Sequence, residues 1–101
     1  MDTFGRYVVY ILASRKYGAT YVGVTGNLIA RTYIHREDIL DGFSSRYKTH
    51  LLVYYEQHGD PIEAITREKR IKKWLRPWKI RLIEEANPQW RDLYPDLLGD
   101  S

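Results

Sequence analysis

The sequence predicts a domain of the α/β (α+β) class, with a small three-stranded antiparallel sheet flanked by three helices in the order β-β-α-β-α-α. Three observations lead to this fold class. Two runs rich in Val, Ile and Tyr are separated by six polar or small residues, as in a hairpin. Two later segments begin with helix-capping residues. The length of 101 residues is enough for one domain, and so small a sheet needs helices to cover its apolar faces.

Three segments have the composition of β-strands. The first runs from Tyr7 to Ala13, and the turn SRKYGA leads into a second, antiparallel strand from Thr20 to Val24. A polar loop over residues 41–50 precedes the third strand, which is predicted from Leu51 to Glu56.

Capping residues mark the first two helices. Asn27 is a suitable N-cap for a helix from Leu28 to about Leu40. In GDPIE, an Asp cap, a Pro in the first turn and a Glu at capping-box spacing begin a second helix, which should run to about Leu75.

Proline ends the second helix, since Pro77 has no amide donor and predicts a break or sharp kink. A third helix is predicted from Arg76 to Ala86. The tail after it contains Trp90 and Tyr94, so its first half should pack against the domain and its end should fray.

Composition excludes several classes of protein. No run of about 18 apolar residues is present, so no membrane span is expected. The first residues lack the pattern of a signal peptide. With no cysteine, a disulfide framework and a cysteine zinc site are excluded. A cytoplasmic location, without a membrane partner, is the expectation.

Positive charge is concentrated in one segment. The net charge is only +3, but residues 61–81 hold eight Lys or Arg against two Glu, whereas residues 82–101 hold one Arg and five acids. Such a patch favours a polyanionic partner, with nucleic acid first. The alternative is a solvated helix face.

A single acid, Glu68, lies within the basic run TREKRIKKWLRPWK. At helical spacing it falls in a stripe formed by Ile65, Ile71 and Leu75, which is predicted to face inward. A buried carboxylate needs a cationic partner, because burying the charge alone is costly. Either an Arg from the first helix or a metal ion meets that need.

The first helix carries a second polar pair beside its apolar face, which is formed by Leu28, Thr32 and Ile39. Arg31 and His35 are four residues apart and therefore neighbours on the flank of that face. Arg offers a fork of donors suited to phosphate, and His exchanges a proton near neutral pH. A surface Arg beside a partly packed His is the structural alternative.

Two tyrosines lie in the predicted hairpin. Tyr10 is in the first strand and Tyr21 in the second, so they lie side by side if the register allows. Buried tyrosines are usually core residues whose hydroxyls have partners. Near an Arg, a His and a Glu, a pair of phenols could also position or deprotonate a water molecule.

Together these residues resemble the GIY-YIG nuclease family. The motifs that carry the resemblance are Val8-Val9-Tyr10, Tyr21-Val22-Gly23, Arg31, His35, Glu68 in EKRIK and Asn87 in NPQW. Val8 stands where the family name has Gly. The resemblance covers about residues 5–90 of a single predicted domain over 1–101, with residues 91–101 as its tail. It is greatest to a small stand-alone bacterial branch, related to the nuclease domains of excision-repair and homing enzymes.

The resemblance implies a metal-dependent endonuclease that hydrolyses phosphodiester bonds in DNA with one divalent cation, Mg²⁺ or Mn²⁺. It implies that Glu68 holds the metal and Arg31 stabilises the transition state. Lys69, Arg70 and Lys73, on another arc of the same helix, are expected to contact the nucleic-acid backbone. A role in DNA repair and a protein partner that supplies specificity fit the same branch, and the oligomeric state stays open.

The tyrosines and the remaining polar residues also receive roles from the resemblance. Tyr10 is the expected base and Tyr21 orients the water, although these roles are exchangeable. His35 would assist proton movement or contact phosphate, and Asn87 would support the site by hydrogen bonding. A phenol has a pKa of about 10, so a tyrosine base predicts a rate that rises toward alkaline pH.

Two other functions compete with the nuclease. One is a catalytically inactive nucleic-acid-binding module, for which an inward-facing Glu would serve no purpose. The other is a protein-interaction domain with an exposed aromatic patch of Trp74, Trp78, Trp90 and Tyr94. The structural alternative for these aromatic residues is helix-packing core.

Overall fold

A computed structural model describes residues 7–37 and 47–99. Its sheet has three strands, β1 (Tyr7–Ala13), β2 (Thr20–Thr25) and β3 (Leu51–His58), in the order β2-β1-β3. Both pairs are antiparallel, so β1 is central and β2 lies at an edge. The predicted fold class and element order are confirmed.

Within the described residues the helices are α1 (Leu28–Arg36), α2 (Pro61–Lys73), α3 (Arg76–Ala86) and a short α4 (Tyr94–Leu97). At the start of α1, the side chain of Asn27 accepts a hydrogen bond from the amide of Ala30 at 3.1 Å. Before α2, Asp60 accepts one from the amide of Glu63 at 3.2 Å. Both predicted caps are therefore confirmed.

The first helix ends earlier than predicted. The described part of α1 stops at Arg36, and Glu37 caps it by donating its amide to carbonyls of the last turn. The Arg36 guanidinium bonds to Asp92 at 2.5 Å and to the carbonyl of His50, which fixes this end of α1 by tertiary contacts. Ile39 and Leu40 lie outside the described residues.

The break between the second and third helices also differs from the prediction. Helix α2 ends at Lys73, and Trp74 and Leu75 have extended backbones before α3 begins. The physical reason is that the ring of Pro77 would clash with the carbonyl four residues earlier, which belongs to Lys73. Pro77 itself then lies in the first turn of α3, where its missing amide has no consequence.

The sheet buries both faces. One face packs against α2, α3 and Trp90, and the other against α1 and α4. Within α2 the buried residues are Ala64, Glu68 and Ile71. The predicted stripe is therefore wrong at Ile65 and Leu75, which are 42% and 69% exposed. Among the described residues, no helix has the length and hydropathy that a membrane span requires.

Candidate active site

Tyr10 lies in the central strand, and its side chain crosses the neighbouring strand at Gly23. The two residues are register partners, and a Cβ atom placed on Gly23 would lie 2.4 Å from the Tyr10 hydroxyl. Only glycine leaves room for the ring at this position. Tyr10 is 2% exposed, so its phenol is nearly enclosed.

Tyr21 and His35 surround the Tyr10 ring. The Tyr21 ring is centred 6.3 Å from that of Tyr10 and 5.0 Å from the imidazole of His35. The Tyr10 hydroxyl lies 3.2 Å from Nε2 of His35. The strand hairpin and α1 therefore bring two phenols and one imidazole into contact, as the two motifs predicted.

Arg31 lies one helical turn before His35 and is half-buried. Within residues 7–37 and 47–99 its guanidinium makes no hydrogen bond or ion pair. Its charge nonetheless acts on Tyr10 and on His35. This positive charge thus favours the ionised form of Tyr10 and the neutral form of His35.

Glu68 approaches from α2 and is 7% exposed, which confirms that it faces inward. Its carboxylate pairs with Nζ of Lys72 at 2.5 Å, one turn further along the helix. A cation from the protein therefore partners Glu68, but it is Lys72 of the same helix and not, as in the structural alternative, an Arg of the first helix. The negative charge of Glu68 also acts on Tyr10. We refer to Tyr10, Tyr21, Arg31, His35 and Glu68 as the candidate site.

Burial shifts the pKa values of Tyr10 and His35, which share a hydrogen bond, in opposite directions. It raises the pKa of Tyr10, an effect to which Tyr21 and then Glu68 add and which Arg31 opposes. Burial, followed by the charges of Arg31 and His50, lowers the pKa of His35. At neutral pH the phenol is therefore protonated and the imidazole neutral. In that state Tyr10 can donate its proton to Nε2 of His35.

Asn87, which the resemblance includes, is committed to the backbone. Its amide nitrogen donates to the carbonyl of Val53 at 3.0 Å and to that of Arg91 at 2.8 Å, and its amide oxygen accepts from the Arg91 amide. These bonds join the end of α3 to β3, on the face opposite Tyr10. Asn87 therefore makes no described hydrogen bond to the candidate site, and any support it gives is indirect.

The predicted backbone-binding cations, Lys69, Arg70 and Lys73, are all exposed on α2.

The tryptophans fall into a core group and a more exposed group. Trp90 is 3% exposed and donates to Glu84, so it belongs to the core. Trp78 is 59% exposed and contacts half-buried Trp74 edge to face at 6.0 Å.

The donors of the candidate site fit a hard divalent cation in one way only. Among the described residues, no group of three His, Asp or Glu could hold a metal ion. Glu68 therefore supplies a single buried carboxylate. Mg²⁺ is commonly bound by one or two carboxylates, with water and substrate phosphate completing its shell. The site thus fits such an ion when a phosphate is present.

Two features of the site were not predicted from the sequence. The ion pair of Glu68 with Lys72 has a local signal, since the two residues have the i, i+4 spacing of helical pairs. The close approach of Tyr10 to Gly23 has none, because it depends on how the two strands align. The need for glycine at the end of Tyr21-Val22-Gly23 becomes clear only from that strand register, which pairs Gly23 with Tyr10.

Known proteins resemble the part of the chain that carries the candidate site. A family model described as the GIY-YIG catalytic domain matches residues 6–81. A UPF0213 protein of Staphylococcus haemolyticus (strain JCSC1435) is 32% identical over 80 residues, which make up 79% of this chain and 96% of that protein. No solved structure matches the chain.

Proposed function

The chain belongs to the GIY-YIG family, whose catalytic domain implies nuclease-type cleavage of DNA, and we propose that it is a metal-dependent endonuclease that hydrolyses phosphodiester bonds in DNA. The observation that carries the proposal is the candidate site itself. Tyr21 of β2 and His35 of α1 lie beside the buried phenol of Tyr10 in β1. The charges of Arg31 in α1 and Glu68 in α2 act on the same phenol. A module that only binds nucleic acid has no use for the buried carboxylate of Glu68.

Arg31 is proposed to bind the scissile phosphate. Its guanidinium has a planar fork of donors that matches phosphate oxygens, and no described group occupies those donors. As negative charge builds on the non-bridging oxygens, a fixed cation stabilises the transition state more than the ground state. This is the role that the family resemblance assigns to the position.

Tyr10 is proposed to take a proton from the attacking water while it passes its own proton to His35. A phenol with a raised pKa is rarely ionised at neutral pH, so the Tyr10 proton needs an acceptor. His35 Nε2 is an acceptor within hydrogen-bond distance, and its lowered pKa keeps the imidazole unprotonated. Tyr21, beside both rings, would orient the water. The exchange of roles between the two tyrosines stays possible, and the pH profile tests it.

Glu68 is proposed to hold one Mg²⁺ or Mn²⁺, which supplies charge neutralisation at the scissile phosphate and the leaving oxygen. The negative charge of this buried carboxylate adds to the rise in the pKa of the Tyr10 phenol. Lys72, its partner in the free protein, has to release it first.

The exposed cations of α2 are proposed to bind the DNA backbone beside the cut. Lys69, Arg70 and Lys73 share the helix that carries Glu68, so contacts with phosphates would position the strand over the candidate site. Binding should weaken steeply as salt is raised.

Incubation with substrates tests the proposal. Plasmid, single-stranded DNA and RNA are mixed with the protein and Mg²⁺ or Mn²⁺, beside a Glu68→Ala control. Metal-dependent cleavage of DNA by the wild type, and its loss in the control, would support the nuclease. Cleavage that persists in the control would reveal a contaminant, and binding without cleavage under all conditions would favour a nucleic-acid-binding module.

A further inference from the structure

A surface concavity lies at the free edge of the sheet, beside the candidate site. It is lined by Thr20, Tyr21 and Val22 of β2, by Lys72 of α2 and by Lys79 of α3, and it has a volume of about 250 Å³. In the described sheet β2 pairs only with β1, so no other described strand covers its outer edge. Lys72 of α2 and Lys79 of α3 form the opposite wall of the concavity.

The charged side chains that line this concavity among the described residues are both cationic, those of Lys72 and Lys79. The nearby carboxylate of Glu68 lies 2.5 Å from Nζ of Lys72 and is not part of the described lining. Lys79 forms no ion pair within the described parts of the chain. Lys72 is paired with Glu68, but its side chain is 51% exposed, so it is free to turn toward the concavity. The hydroxyl of Thr20 adds a possible neutral donor.

The size of the concavity is suitable for a hydrated phosphate group. At about 30 Å³ for each water molecule in the liquid, the volume corresponds to roughly eight waters. A phosphate with part of its hydration shell therefore fits without any rearrangement of the sheet. Compact ammonium groups are effective phosphate binders as point charges.

We propose that the concavity binds a phosphate of the DNA strand next to the one that is cleaved, with Lys72 and Lys79 as its ligands. The inference rests on the proposed function. Tyr21 belongs to the candidate site and also lines the concavity, so the two phosphate positions adjoin. Lys79 binds this neighbouring phosphate, and Lys72 joins it by leaving Glu68.

This exchange couples substrate binding to the release of the carboxylate. In the free protein the ammonium of Lys72 occupies the cation position at Glu68. When that ammonium moves to the incoming phosphate, Glu68 becomes available to a divalent cation. Substrate and metal therefore assist each other's binding, and Lys72 acts as a positioning residue.

Metal binding without DNA tests the exchange. MnCl₂ is titrated calorimetrically into the full chain as wild type, Lys72→Met, Lys79→Met and Glu68→Gln. Removing the competing ammonium in Lys72→Met should raise Mn²⁺ affinity by about two- to fivefold, the equivalent of one exposed ion pair. Lys79→Met should leave the affinity unchanged, and Glu68→Gln should abolish binding. Equal affinity of Lys72→Met and wild type would overturn the exchange.

Salt dependence of DNA binding tests the phosphate site. A ten-nucleotide single strand is titrated in EDTA at several salt concentrations, and Lys72→Met and Lys79→Met should each reduce the salt slope by about 0.7. Arg91→Gln removes an exposed charge outside the concavity and serves as the control. Unchanged slopes in both lysine variants would overturn the inference even if cleavage still requires Glu68. Mn²⁺ binding and cleavage that survive in Glu68→Gln would instead contradict the proposed function.

Discussion

Two clusters of the molecule contain the same four kinds of side chain, Tyr, Arg, His and Glu, yet only one of them has the form of a reactive site. The first is the candidate site. The second, which we call the β3–α2 cluster, consists of Tyr54, Glu56, His58, Arg67 and, at its edge, Glu63. Composition alone does not distinguish the two.

The β3–α2 cluster satisfies its polar groups internally. Arg67 binds both oxygens of Glu56, at 2.9 and 3.2 Å, and the Tyr54 hydroxyl donates to the same carboxylate at 2.6 Å. His58 lies between two carboxylates, at 2.7 Å from Glu56 and 2.8 Å from Glu63. No capacity is left there for a ligand.

The candidate site differs in its uncommitted cation. The Arg31 donors have no partner among the described residues, whereas Nε and one Nη of Arg67 donate to the two oxygens of one carboxylate. A phosphate that binds this same edge of the Arg67 guanidinium would have to displace Glu56. A phosphate-binding site therefore depends on hydrogen-bond donors that the neighbouring side chains leave unused.

The largest expected difference between the clusters concerns their carboxylates. Glu68→Gln should reduce the single-turnover cleavage rate by about 10²- to 10³-fold, because several kcal/mol of charge stabilisation are lost. Glu56→Gln should leave the rate unchanged but lower the free energy of unfolding by about 1–3 kcal/mol, as hydrogen bonds to a charged group are lost. Cleavage assays and urea unfolding measure both, and equal rate losses in the two variants would erase the distinction.

The tyrosines provide the next contrast. Tyr10→Phe removes the proposed proton relay to His35 and should slow cleavage by about 10²-fold. Tyr54→Phe removes one hydroxyl bond to Glu56 and should cost about 1 kcal/mol of stability with no change in rate. The same two assays apply, and a Tyr10→Phe enzyme with full activity would remove Tyr10 from the proposed mechanism.

The arginines are compared by substitutions that conserve charge. Arg31→Lys should slow cleavage by about tenfold, because an ammonium lacks the planar fork that binds two phosphate oxygens. Arg67→Lys should affect only stability. Cleavage at saturating DNA separates an effect on the rate from one on binding, and a normal rate for Arg31→Lys would show that a point charge suffices.

The pH dependence of cleavage tests the relay. Burial lowers the pKa of His35 from its ordinary value of about 6.5, so the imidazole stays unprotonated above that pH. The rate should therefore be level from pH 7 to 9 and fall in more acidic solution, with chemistry shown to be limiting. This revises the alkaline rise expected from a tyrosine base alone. A rate that keeps rising through pH 9 would mean that the tyrosine loses its proton to solvent.

The histidine of the β3–α2 cluster, His58, should affect stability only, and its effect should be the smallest. Hydrogen bonds to Glu63 and Glu56 raise the pKa of His58. Its contribution to the free energy of unfolding is therefore complete below the unfolded-state pKa and disappears as pH rises through the higher folded-state value. Urea unfolding of wild type and His58→Gln should differ more at pH 5.5 than at pH 8.5. A difference that grows with pH would contradict the assigned shift.

Local signals made most elements of the fold predictable from the sequence. Asn27 and Asp60 begin helices because their side chains satisfy amides only three residues away. The continuous apolar run of β1, rich in Val, Ile and Tyr, identifies it without knowledge of its partners. Glu68 was correctly placed facing inward because it lies at helical spacing from Ile71, which is fully buried.

The rest of the inward face of α2 was not predictable in the same way. Ile65 was chosen for its hydrophobicity, yet Ala64 is the residue that packs against the sheet, with 0% exposure. A small side chain allows the helix to approach the strands closely, and that approach sets which arc is buried. The periodicity of apolar residues gives the spacing of a buried stripe, but only the packing of the helix decides which arc of its surface is buried.

The sequence by itself determined where the helices and strands lie, the concentration of cations around Glu68 and the family motifs, since all of these depend on residues close together in the chain. Only the tertiary structure decided that Tyr10 crosses Gly23 and that its hydroxyl meets His35 twenty-five residues away. It also decided that Arg31 has no hydrogen-bond partner within residues 7–37 and 47–99, whereas Arg67 binds Glu56. Those outcomes depend on strand register and on helix packing, and no local pattern encodes the partners that distant residues find.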